Sequence, residues 1–544
     1  MSPERRDPMR LLLTGHAGVL VRARSGATVL CDPWFNPAYL GSWFPFPDNA
    51  DLDLGQIASP TYLYISHLHR DHFDARFLAE HVDKSATVLL PDFPIGDLRG
   101  ALEQLGFHRF VQTKSGRPVD LDGLRVAICT STSVADGPIG DSAIAIDDGA
   151  SRILNQNDCH LRDIAPLRAL APYDLHLLQY SGAIWYPMVY RWDAATKAAL
   201  CREKRLRQGQ RAMRYIESVG ARHVVPFAGP PAFLDDALFE LNDFEDDPTN
   251  IFQDQVSFLR TMEESGFHHG HLAVAGSEIV VTSGAPQIAH SCSEGELQKV
   301  YSNKREYLEA YRERRRAEIE AAVPTEVTLG ETEVIGRLER VIVPLLADAP
   351  SVREALGGAI VLDVGTYGVV IDPAEPAVRR WNGEEPEHYF GFSEAILSSL
   401  VERGITDWVN ELFLSCRFEA TRTGDYNEAV FSFFKCLTGP RMQYYEASLA
   451  LVEQETDGAG GARELWQCGP YLVQRYCPHL GADLCRFGQF EGDVLVCTLH
   501  GRRYDLRTGD CLTADGRSIF SVTVTAGAGD PAPAAGAADA DPVT

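Results

Sequence analysis

Four residues near the end of the chain bring two thiols and two imidazoles together in two short groups. Cys477 and His479 are separated by one proline, and Cys497 and His500 follow, after seventeen residues, in the same order. A 2Fe–2S cluster in which two histidines replace two cysteines on one iron needs this ligand set. Zinc also binds two cysteines with two histidines, but zinc fingers usually pair each residue type with itself. The mixed order therefore favours the iron–sulfur cluster.

The residues around these ligands resemble the Rieske 2Fe–2S domain family. Gly481 follows the first ligand pair, Gly501 follows the second, and the turn YDLRTG closes the segment. The resemblance implies a Rieske cluster that is held by the two cysteines and the two histidines.

The two ligand loops also indicate the redox potential of the cluster. The first loop carries Cys485, but the second offers only Thr498 and Leu499, so no disulfide can clamp the loops together. Arg502 stands where high-potential Rieske proteins carry a hydroxyl donor. Because fewer hydrogen bonds to the cluster sulfurs lower the potential, we expect a value toward the bottom of the Rieske range of roughly −150 to +300 mV. Such a potential suits a cluster that feeds an oxygenase.

A second group of ligand-type residues follows an apolar strand in the segment YLYISHLHRDHFD. Its members are His67, His69, Asp71 and His72. Alternate residues of an extended segment point to one side, and the turn that follows brings Asp71 and His72 round to them. A buried histidine cluster with a purely structural role is the alternative interpretation.

The pattern His-x-His-x-Asp-His, with the upstream segment TGHAGVLVRARSGATVLCDPWF, resembles the metallo-β-lactamase fold family. The resemblance implies an αββα sandwich in which Asp158, in SRILNQNDCHL, matches the bridging carboxylate of the family. It also implies that Asp32 supports the site from behind the ligands and that His16 is structural.

Two departures from the family pattern speak against a full two-metal hydrolase site. Hydrolases of this fold supply further histidines at two later places in the chain. Other residue types stand there: Thr130, Ser131 and Thr132 at the first place, and Phe227 and Ala228 at the second.

The residues that remain predict a single, mononuclear metal. The catalytic and metal-binding candidates are His67, His69, Asp71, His72 and Asp158. They can present two histidines and one carboxylate with open coordination positions, which suits non-haem Fe(II) working with O₂; zinc is the alternative. Which of them bind is left open, and His160 is a substitute ligand or a structural histidine.

The pattern of elements predicts a multidomain chain of α/β and α+β parts. We expect a metallo-β-lactamase-like catalytic domain over 1–290, a charged helical connector over 291–325 and an α+β domain over 326–442 that weakly resembles the sterol-carrier fold. An all-β Rieske domain over 443–525 and a disordered Ala/Gly/Pro-rich tail over 526–544 complete the chain.

Composition excludes several classes of protein. The chain has 544 residues and a formal net charge of −26, which argues against general binding to nucleic acid. It has no apolar run of about 18 residues, so no transmembrane segment is expected. Its twelve cysteines are scattered, which favours reduced thiols and a cytoplasmic protein. The sequence leaves the oligomeric state open, a homo-oligomer included.

A one-electron cluster and an iron with open positions in one chain predict a reductive oxygenase. The pair resembles the CMP-N-acetylneuraminate hydroxylase family, and the domain order resembles the actinobacterial UDP-N-acetylmuramate hydroxylases. The resemblance implies hydroxylation of the N-acetyl group of a sugar nucleotide to N-glycolyl, with UDP-N-acetylmuramate, a peptidoglycan precursor, as substrate. It further implies NAD(P)H-derived electrons that arrive through a ferredoxin and reductase or a cytochrome-type donor.

An anionic sugar nucleotide needs cations, and the stretch CREKRLRQGQRAMR is the best candidate. Arg205, Arg207 and Arg211 are predicted to contact the substrate, since arginine suits bidentate phosphate contacts. Tyr186 and Tyr190 are candidates for stacking on the base. A solvated helix face and ordinary core packing are the alternatives.

Other functions remain open at this point. A CMP-sialic-acid-type or natural-product hydroxylase would use the same two centres. A metal-dependent hydrolase of the β-lactamase fold with a redox-sensing Rieske domain belongs to another class, and so does a pure electron-transfer protein.

Overall fold

The computed structural model describes residues 8–132, 139–244, 249–282, 284–424, 426–457, 465–468, 470–478, 481–499, 501–513 and 518–523. The chain folds as two compact units, Met1–Ala459 and Gly460–Thr544. The tail predicted over 526–544 lies outside the described residues.

The first part of the larger unit is built from two sheets. Its strands, in chain order, are β1 (Arg10–Gly15), β2 (Gly18–Arg22), β3 (Thr28–Cys31), β4 (Tyr62–Tyr64), β5 (Thr87–Leu90), β6 (Phe110–Gln112), β7 (Val119–Leu121), β8 (Leu124–Ser131), β9 (Asp141–Asp147), β10 (Arg152–Asn157), β11 (Leu175–Leu178), β12 (His223–Pro226), β13 (Glu278–Val280) and β14 (Gln287–Ala289). One sheet has the order β14-β13-β1-β2-β3-β4-β5-β6 and the other the order β12-β11-β10-β9-β8-β7.

Strand direction determines where the chain can place a site. β1, β2 and β3 are antiparallel neighbours, whereas β3, β4, β5 and β6 run parallel, with Leu30 opposite Leu63 and Leu63 opposite Val88. In the second sheet β10, β11 and β12 run parallel. Because parallel strands end at the same edge, the loops that follow β4 and β10 can meet at one end of the sandwich.

Apolar side chains from both sheets meet in one core. Val19 and Val21 of the first sheet belong to the same buried cluster as Ile128, Ile144 and Ile146 of the second. The outer face of the first sheet buries Leu63 against Phe77 and Leu78 of the first helix. Burial on both faces follows from the near-continuous apolar character of these strands.

Helices cover the outer faces of both sheets. They are α1 (Ala75–His81), α2 (Asp97–Gln104), α3 (Ala165–Ala169), α4 (Ala194–Val219) and α5 (Gln255–Glu264). α4 begins where the Asp193 side chain accepts a hydrogen bond from the Thr196 amide, and it ends at Gly220, whose φ is +63°. Within the described residues, no helix has both the length and the apolar character that a bilayer crossing requires. The layers form the αββα sandwich that the sequence predicts, and that prediction is confirmed.

The stretch predicted as a solvated connector forms two helices, α6 (Glu294–Ser302) and α7 (Lys304–Ala322). One face of α7 is apolar and buried: Leu308, Tyr311 and Ile319 pack in a cluster with Phe44 and Leu234. The connector therefore packs on the sandwich through this face and leaves only its other face to solvent.

The central part of the larger unit is an α+β segment. Its elements are α8 (Glu331–Ala347), α9 (Pro350–Leu356), β15 (Ile360–Asp363), β16 (Gly368–Asp372), β17 (Ala377–Arg380), β18 (His388–Gly391), α10 (Glu394–Glu402), a π-helical turn (Val409–Phe413), β19 (Glu419–Arg422), α11 (Glu428–Lys435) and α12 (Gly439–Asp457). The strands form one sheet in the order β17-β16-β15-β18-β19.

The central segment shares its core with the sandwich. Trp408, Phe413 and Phe434 lie in the same buried cluster as Trp34 and Trp185. The backbone adds a second link, since the Ala420 amide of β19 donates to the Val189 carbonyl at 2.9 Å. The two parts therefore form one unit.

The smaller unit is built from short strands, as predicted. Its elements are β20 (Leu465–Cys468), β21 (Tyr471–Gln474), α13 (Leu484–Phe487), β22 (Gly488–Glu491), β23 (Val494–Cys497), β24 (Arg503–Asp505) and β25 (Ser521–Thr523). β20, β21 and β25 form one sheet, and β22, β23 and β24 form another. The predicted Rieske fold of short strands is confirmed for this unit, whereas residues 443–457 of the predicted region 443–525 belong to α12.

Candidate metal centres

Three loops of the sandwich bring ligand-type side chains to one place. The loop after β4 carries the His-x-His-x-Asp-His motif, and α1 begins directly after it, where the Asp74 side chain accepts a hydrogen bond from the Phe77 amide. The end of β10 presents Asp158, and the turn between β1 and β2 presents His16. Tertiary structure thus adds two distant residues to the local motif.

His67, His69 and Asp158 form the first group, in which one ligand atom of each lies within 4.8 Å of the others. The His67 Nε2 atom is 2.8 Å from His69 Nδ1 and 3.9 Å from Asp158 Oδ2. Two imidazoles and one carboxylate that converge in this way form the ligand set that the sequence predicts.

His16, Asp71 and His72 form a second group of the same kind. His16 Nε2 lies 2.9 Å from Asp71 Oδ2, and His72 Nε2 lies 3.8 Å from the same oxygen. Asp158 Oδ2 is 3.4 Å from His72 Nε2, so the Asp158 carboxylate stands between the two groups. We call the two groups together the histidine–carboxylate centre.

The second group bears on two expectations from the sequence. The sequence implies a structural His16 and no full two-metal ligand set, whereas the structure brings His16 together with Asp71 and His72 in a group that could hold a metal ion. Ala228, where a histidine is expected in hydrolases of this fold, donates its amide to the His16 carbonyl at 3.1 Å. His16 therefore lies beside the position that lacks the expected histidine.

Carboxylates behind the ligands hold the imidazoles in place. Asp32 Oδ2 lies 3.0 Å from His72 Nδ1, and Asp141 Oδ1 lies 3.3 Å from His67 Nδ1. A carboxylate on one ring nitrogen directs the other nitrogen toward a metal. The position of Asp32 agrees with the role that the sequence implies, whereas Asp141 was not foreseen.

Backbone strain marks the same region. His16, Asp32 and Asn157 adopt left-handed φ values of 49°, 40° and 45°. Such conformations cost non-glycine residues about 1–3 kcal/mol each and concentrate at functional sites. All three residues adjoin or support the ligand groups, so the strain is consistent with a functional centre.

The residues present fit a bound metal ion. Within the described part of the chain, His72 Nε2 and Asp158 Oδ1 are buried and have no hydrogen-bond partner. Such atoms are costly to bury unless something binds them, and a cation would do so. Imidazole and carboxylate together suit iron and zinc.

Electrostatics acts differently on the individual ligands. Burial lowers the pKa of His67, but Asp141 and Asp158 outweigh it and raise that pKa above its usual value. Burial, followed by the nearby His67, lowers the pKa of His69 to about 3, so its ring is neutral. Burial alone would raise the pKa of Asp71, but His72 and His16 outweigh it and hold that pKa below its usual range. Neutral imidazoles and ionised carboxylates are the forms that bind metals.

His160, the predicted substitute ligand, lies outside both groups. Burial, followed by the charge of Arg211, lowers the pKa of its ring to about 3. Its Nε2 atom is buried without a hydrogen-bond partner among the described residues. The structure thus places it near the centre without making it a ligand.

The central segment forms a wall against the loop that carries the motif. The Asn410 side chain donates to the Leu68 carbonyl at 2.8 Å and accepts from the Arg70 amide at 3.1 Å. Arg70 also forms an ion pair with Glu411. No sequence pattern predicts this contact, because the contact joins residues more than 300 positions apart.

The predicted substrate residues separate into two classes. Arg205 forms an internal ion pair with Asp243 and a 2.8 Å hydrogen bond to the Asn250 carbonyl, so its guanidinium is not available to a ligand. Arg207 pairs with Glu203. Burial lowers the pKa of Arg211 to about 10, and the charges of Tyr215 and of Asp158 in the histidine–carboxylate centre act against that shift.

The two predicted tyrosines belong to a cluster of aromatic rings. The Tyr186 ring centroid is 5.6 Å from that of Tyr190 and 5.7 Å from that of Trp192. The guanidinium of Arg422 lies 5.0 Å from the Tyr190 centroid. This cluster joins the sandwich to β19.

The cysteines of the predicted cluster site occupy two matching turns of the smaller unit. Cys477 and Cys497 are buried, and their carbonyls accept hydrogen bonds from Gly481 at 2.8 Å and from Gly501 at 2.7 Å. Both glycines have φ values near +70°, at 70° and 74°, which L-residues rarely adopt. The histidine ligands of these turns, His479 and His500, lie outside the described residues.

One hydroxyl reaches a cluster ligand, contrary to the expectation from Arg502. Tyr504 Oη lies 3.2 Å from Cys477 Sγ. A metal-bound cysteine is a thiolate, so the tyrosine donates this hydrogen bond. Arg502 contributes through its backbone, because its carbonyl accepts from the Cys497 amide at 2.7 Å. The residue type at position 502 alone therefore does not decide the potential of the cluster, because Tyr504 supplies a hydroxyl.

We expect Tyr504→Phe to lower the reduction potential of the cluster by roughly 30–100 mV. The reduced cluster is more negative and gains more from a hydrogen bond to its ligand sulfur, and for one electron 59 mV corresponds to about 1.4 kcal/mol. Protein-film voltammetry measures the shift. Tyr471→Phe is the matched control, since the Tyr471 hydroxyl bonds to Asp493. Equal potentials for wild type and Tyr504→Phe would refute the role of this hydroxyl.

We expect Asn410→Ala to weaken metal binding at the histidine–carboxylate centre. The change leaves the Leu68 carbonyl and the Arg70 amide without their partner, at a cost of about 1–3 kcal/mol. Metal and sulfide analysis should show less metal with unchanged sulfide. Asn382→Ala, at an exposed position of the same segment, serves as the control. Full metal content in Asn410→Ala would mean that this contact does not support the centre.

Comparison with known proteins assigns the two C-terminal parts of the chain. Residues 334–450 match the family model described as "Rv3818-like, SCP2-like domain", and residues 441–521 match the Rieske [2Fe-2S] domain. The second match confirms the predicted Rieske domain.

Similarity to known structures is weaker than similarity to known sequences. A metallo hydrolase, Igni18 of Ignicoccus hospitalis, is 21% identical, covers 50% of this chain and 97% of its own, and has a TM-score of 0.32. CmlA, a diiron beta-hydroxylase from Streptomyces venezuelae, is 17% identical, covers 52% of this chain and 54% of its own, and has a TM-score of 0.33.

One relative in sequence spans nearly the whole chain. It is a Mycobacterium tuberculosis (strain H37Rv) protein named "Putative Rieske 2Fe-2S iron-sulfur protein Rv3818". The two chains are 41% identical over 521 residues, which cover 94% of this chain and 99% of the relative. The chain belongs to the Rv3818 family of Rieske 2Fe–2S iron–sulfur proteins.

Proposed function

We propose that the protein is a Rieske-dependent non-haem iron monooxygenase that hydroxylates the N-acetyl group of a sugar nucleotide to N-glycolyl. UDP-N-acetylmuramate is the proposed substrate, and UDP-N-glycolylmuramate is the product. One observation carries the proposal: a chain with a Rieske domain also contains a histidine–carboxylate centre in which two buried ligand atoms, His72 Nε2 and Asp158 Oδ1, have no hydrogen-bond partner among the described residues. A cluster that transfers single electrons needs an acceptor, and iron at this centre would be one.

The ligand set supports iron that works with O₂. His67, His69 and Asp158 supply two imidazoles and one carboxylate, which is the pattern of non-haem Fe(II) oxygenases. Hydrolysis at a zinc site consumes no electrons, so a hydrolase would leave the Rieske domain without a role in turnover. The proposed donor to the cluster is a ferredoxin with its reductase or a cytochrome-type protein.

Residues of the chain orient the metal ligands and help to exclude water from the centre. Iron bound at the centre would supply O₂ activation, with two electrons and two protons consumed, one oxygen atom inserted into the methyl C–H bond and the other released as water. Asp32 and Asp141 orient the rings of His72 and His67. The ring centroid of Trp34 lies 5.1 Å from that of His16, and this packing helps to keep water away from the centre.

One observation favours a second candidate function. The histidine–carboxylate centre contains two groups, with Asp158 between them, and two-metal hydrolases use such an arrangement. The alternative is therefore a hydrolase of this fold in which the Rieske domain senses redox state. Within the oxygenase class, CMP-sialic acid and natural-product substrates are the alternatives.

We expect the purified protein to add one oxygen atom to UDP-N-acetylmuramate when O₂ and a reduced ferredoxin are supplied. Mass spectrometry with ¹⁸O₂ measures the reaction, since a monooxygenase transfers the label from O₂ and a hydrolase takes oxygen from water. Label in the N-glycolyl group supports the proposal. Cleaved substrate without label would support the hydrolase instead.

Two variants should separate the two centres. His69→Ala removes a predicted ligand, so hydroxylation should be lost while the visible spectrum of the cluster remains. Cys497→Ala should remove both the spectrum and turnover. His81→Ala, at an exposed position on α1, is the control and should retain activity. Full hydroxylation by His69→Ala would contradict the proposed site.

A further inference from the structure

A row of cations follows one face of α4 toward the histidine–carboxylate centre. Lys204, Arg207 and Arg211 are spaced by three and four residues, so their side chains lie on the same side of the helix. Burial, followed by Arg211 and Arg207, lowers the pKa of Lys204 to about 8. These positive charges repel each other, so the fold holds them together at this face against their mutual repulsion.

The fold neutralises other buried cations but leaves part of this row without a carboxylate. Arg205, on the same helix, has Asp243, and buried Lys304 has Asp254 at 2.6 Å. In the part of the chain that the structure describes, neither Lys204 nor Arg211 has an ion-pair partner. The Glu428 carboxylate attracts Lys204, but the repulsion by Arg211 and Arg207 outweighs it. Desolvated positive charge without a partner is costly, and a ligand anion would offset that cost.

A further cation reaches the row from β19. The Arg422 guanidinium lies 5.7 Å from the Tyr186 ring centroid, and Lys204 Nζ lies 5.6 Å from the same centroid. Arg422 also has no ion-pair partner among the described residues, and its Nη1 atom is buried without a hydrogen bond. A guanidinium donor that is buried and unbonded indicates a missing acceptor.

The cations border the metal ligands. The charge of Asp158 acts on Arg211, and both Arg211 and Lys204 act on His160, two positions further along the chain. An anion held by these side chains would therefore place the rest of its molecule next to the histidine–carboxylate centre. Arg211 follows Lys204 by seven residues, about 10 Å along the helix axis, so a ligand that contacts both is an extended group rather than a single small ion.

We propose that Lys204, Arg211 and Arg422 form a binding site, here called the anion site, for the diphosphate of a nucleotide-linked substrate. The inference rests on the proposed function, since the reacting end of a substrate that is bound at this site must reach the metal. Arginine presents paired N–H donors that match phosphate oxygens, and three cations more than offset the two negative charges of the diphosphate in a sugar nucleotide. The rings of Tyr186 and Tyr190 pack beside the site and help to hold Arg422.

Binding of UDP to the full-length holoprotein tests the proposal without any turnover. Isothermal titration calorimetry should detect UDP and inorganic pyrophosphate, whereas uridine, which lacks phosphate, should bind at least tenfold more weakly. Arg211→Gln and Arg422→Gln should each weaken UDP binding at least tenfold. Arg422→Lys keeps the charge and should retain more binding than Arg422→Gln.

Arg202→Gln is the matched control, because Arg202 is an exposed arginine on the same helix and its loss should leave UDP binding unchanged. Circular dichroism and the thermal midpoint show whether each variant is folded, and Lys204→Gln replaces any variant that is not. Equal binding of UDP and uridine, or wild-type UDP affinity in the folded Gln variants, would overturn the anion site.

Failure of the two proposals can be told apart. If UDP binds with the expected variant pattern but no substrate is hydroxylated, the anion site stands and the oxygenase proposal fails. If UDP-N-acetylmuramate is hydroxylated with an unchanged KM in Arg211→Gln and Arg422→Gln, the oxygenase proposal stands and the anion site is wrong.

Discussion

The buried carboxylate of Asp32 organises the histidine–carboxylate centre. Its oxygens accept hydrogen bonds from the Ser66 amide and the Ser66 hydroxyl, both at 2.7 Å, and contact His72 Nδ1 at 3.0 Å. The side chain is fully buried, and its backbone has a left-handed φ of 40°. One carboxylate thus fixes both ends of the loop that carries the motif. The orientation of the ligand atoms depends on this contact, because each ring can present only one nitrogen to a metal.

The central segment completes the site in a way that the sandwich alone cannot. Asn410 bonds to the backbone of the motif loop on one side, and β19 brings Arg422 to the aromatic cluster on the other. A shared apolar core holds the two parts as one unit. Residues of the central segment therefore support the metal ligands and contribute to the proposed anion site, which gives this segment a role beyond that of a scaffold.

The sequence could predict what is local and could not predict what depends on distant contacts. His67, His69, Asp71 and His72 occur within six positions after an apolar strand, so a short pattern reveals them. His16 lies far from them along the chain, and no spacing rule links it to the motif. Only the fold shows that the turn between β1 and β2 reaches Asp71, beside the position of Ala228.

The same limit applies to charges and hydrogen bonds. Arg205 and Arg211 belong to one basic stretch, yet Arg205 pairs with Asp243, whereas Arg211 has no ion-pair partner among the described residues. Composition alone cannot distinguish an internal ion pair from an unpaired cation. Tyr504 was likewise read as part of a closing turn, whereas its hydroxyl contacts the Cys477 sulfur. In both cases a side-chain direction, which a linear pattern does not contain, decides the role.

We propose that electrons from the Rieske cluster are used at a second iron. The most direct measurement is the iron, zinc and acid-labile sulfide content of anaerobically purified protein. A 2Fe–2S cluster contains equal amounts of iron and sulfide, so we expect about one iron per chain, or more, in excess of sulfide. Iron equal to sulfide, with zinc as the additional metal, would contradict it and support the hydrolase.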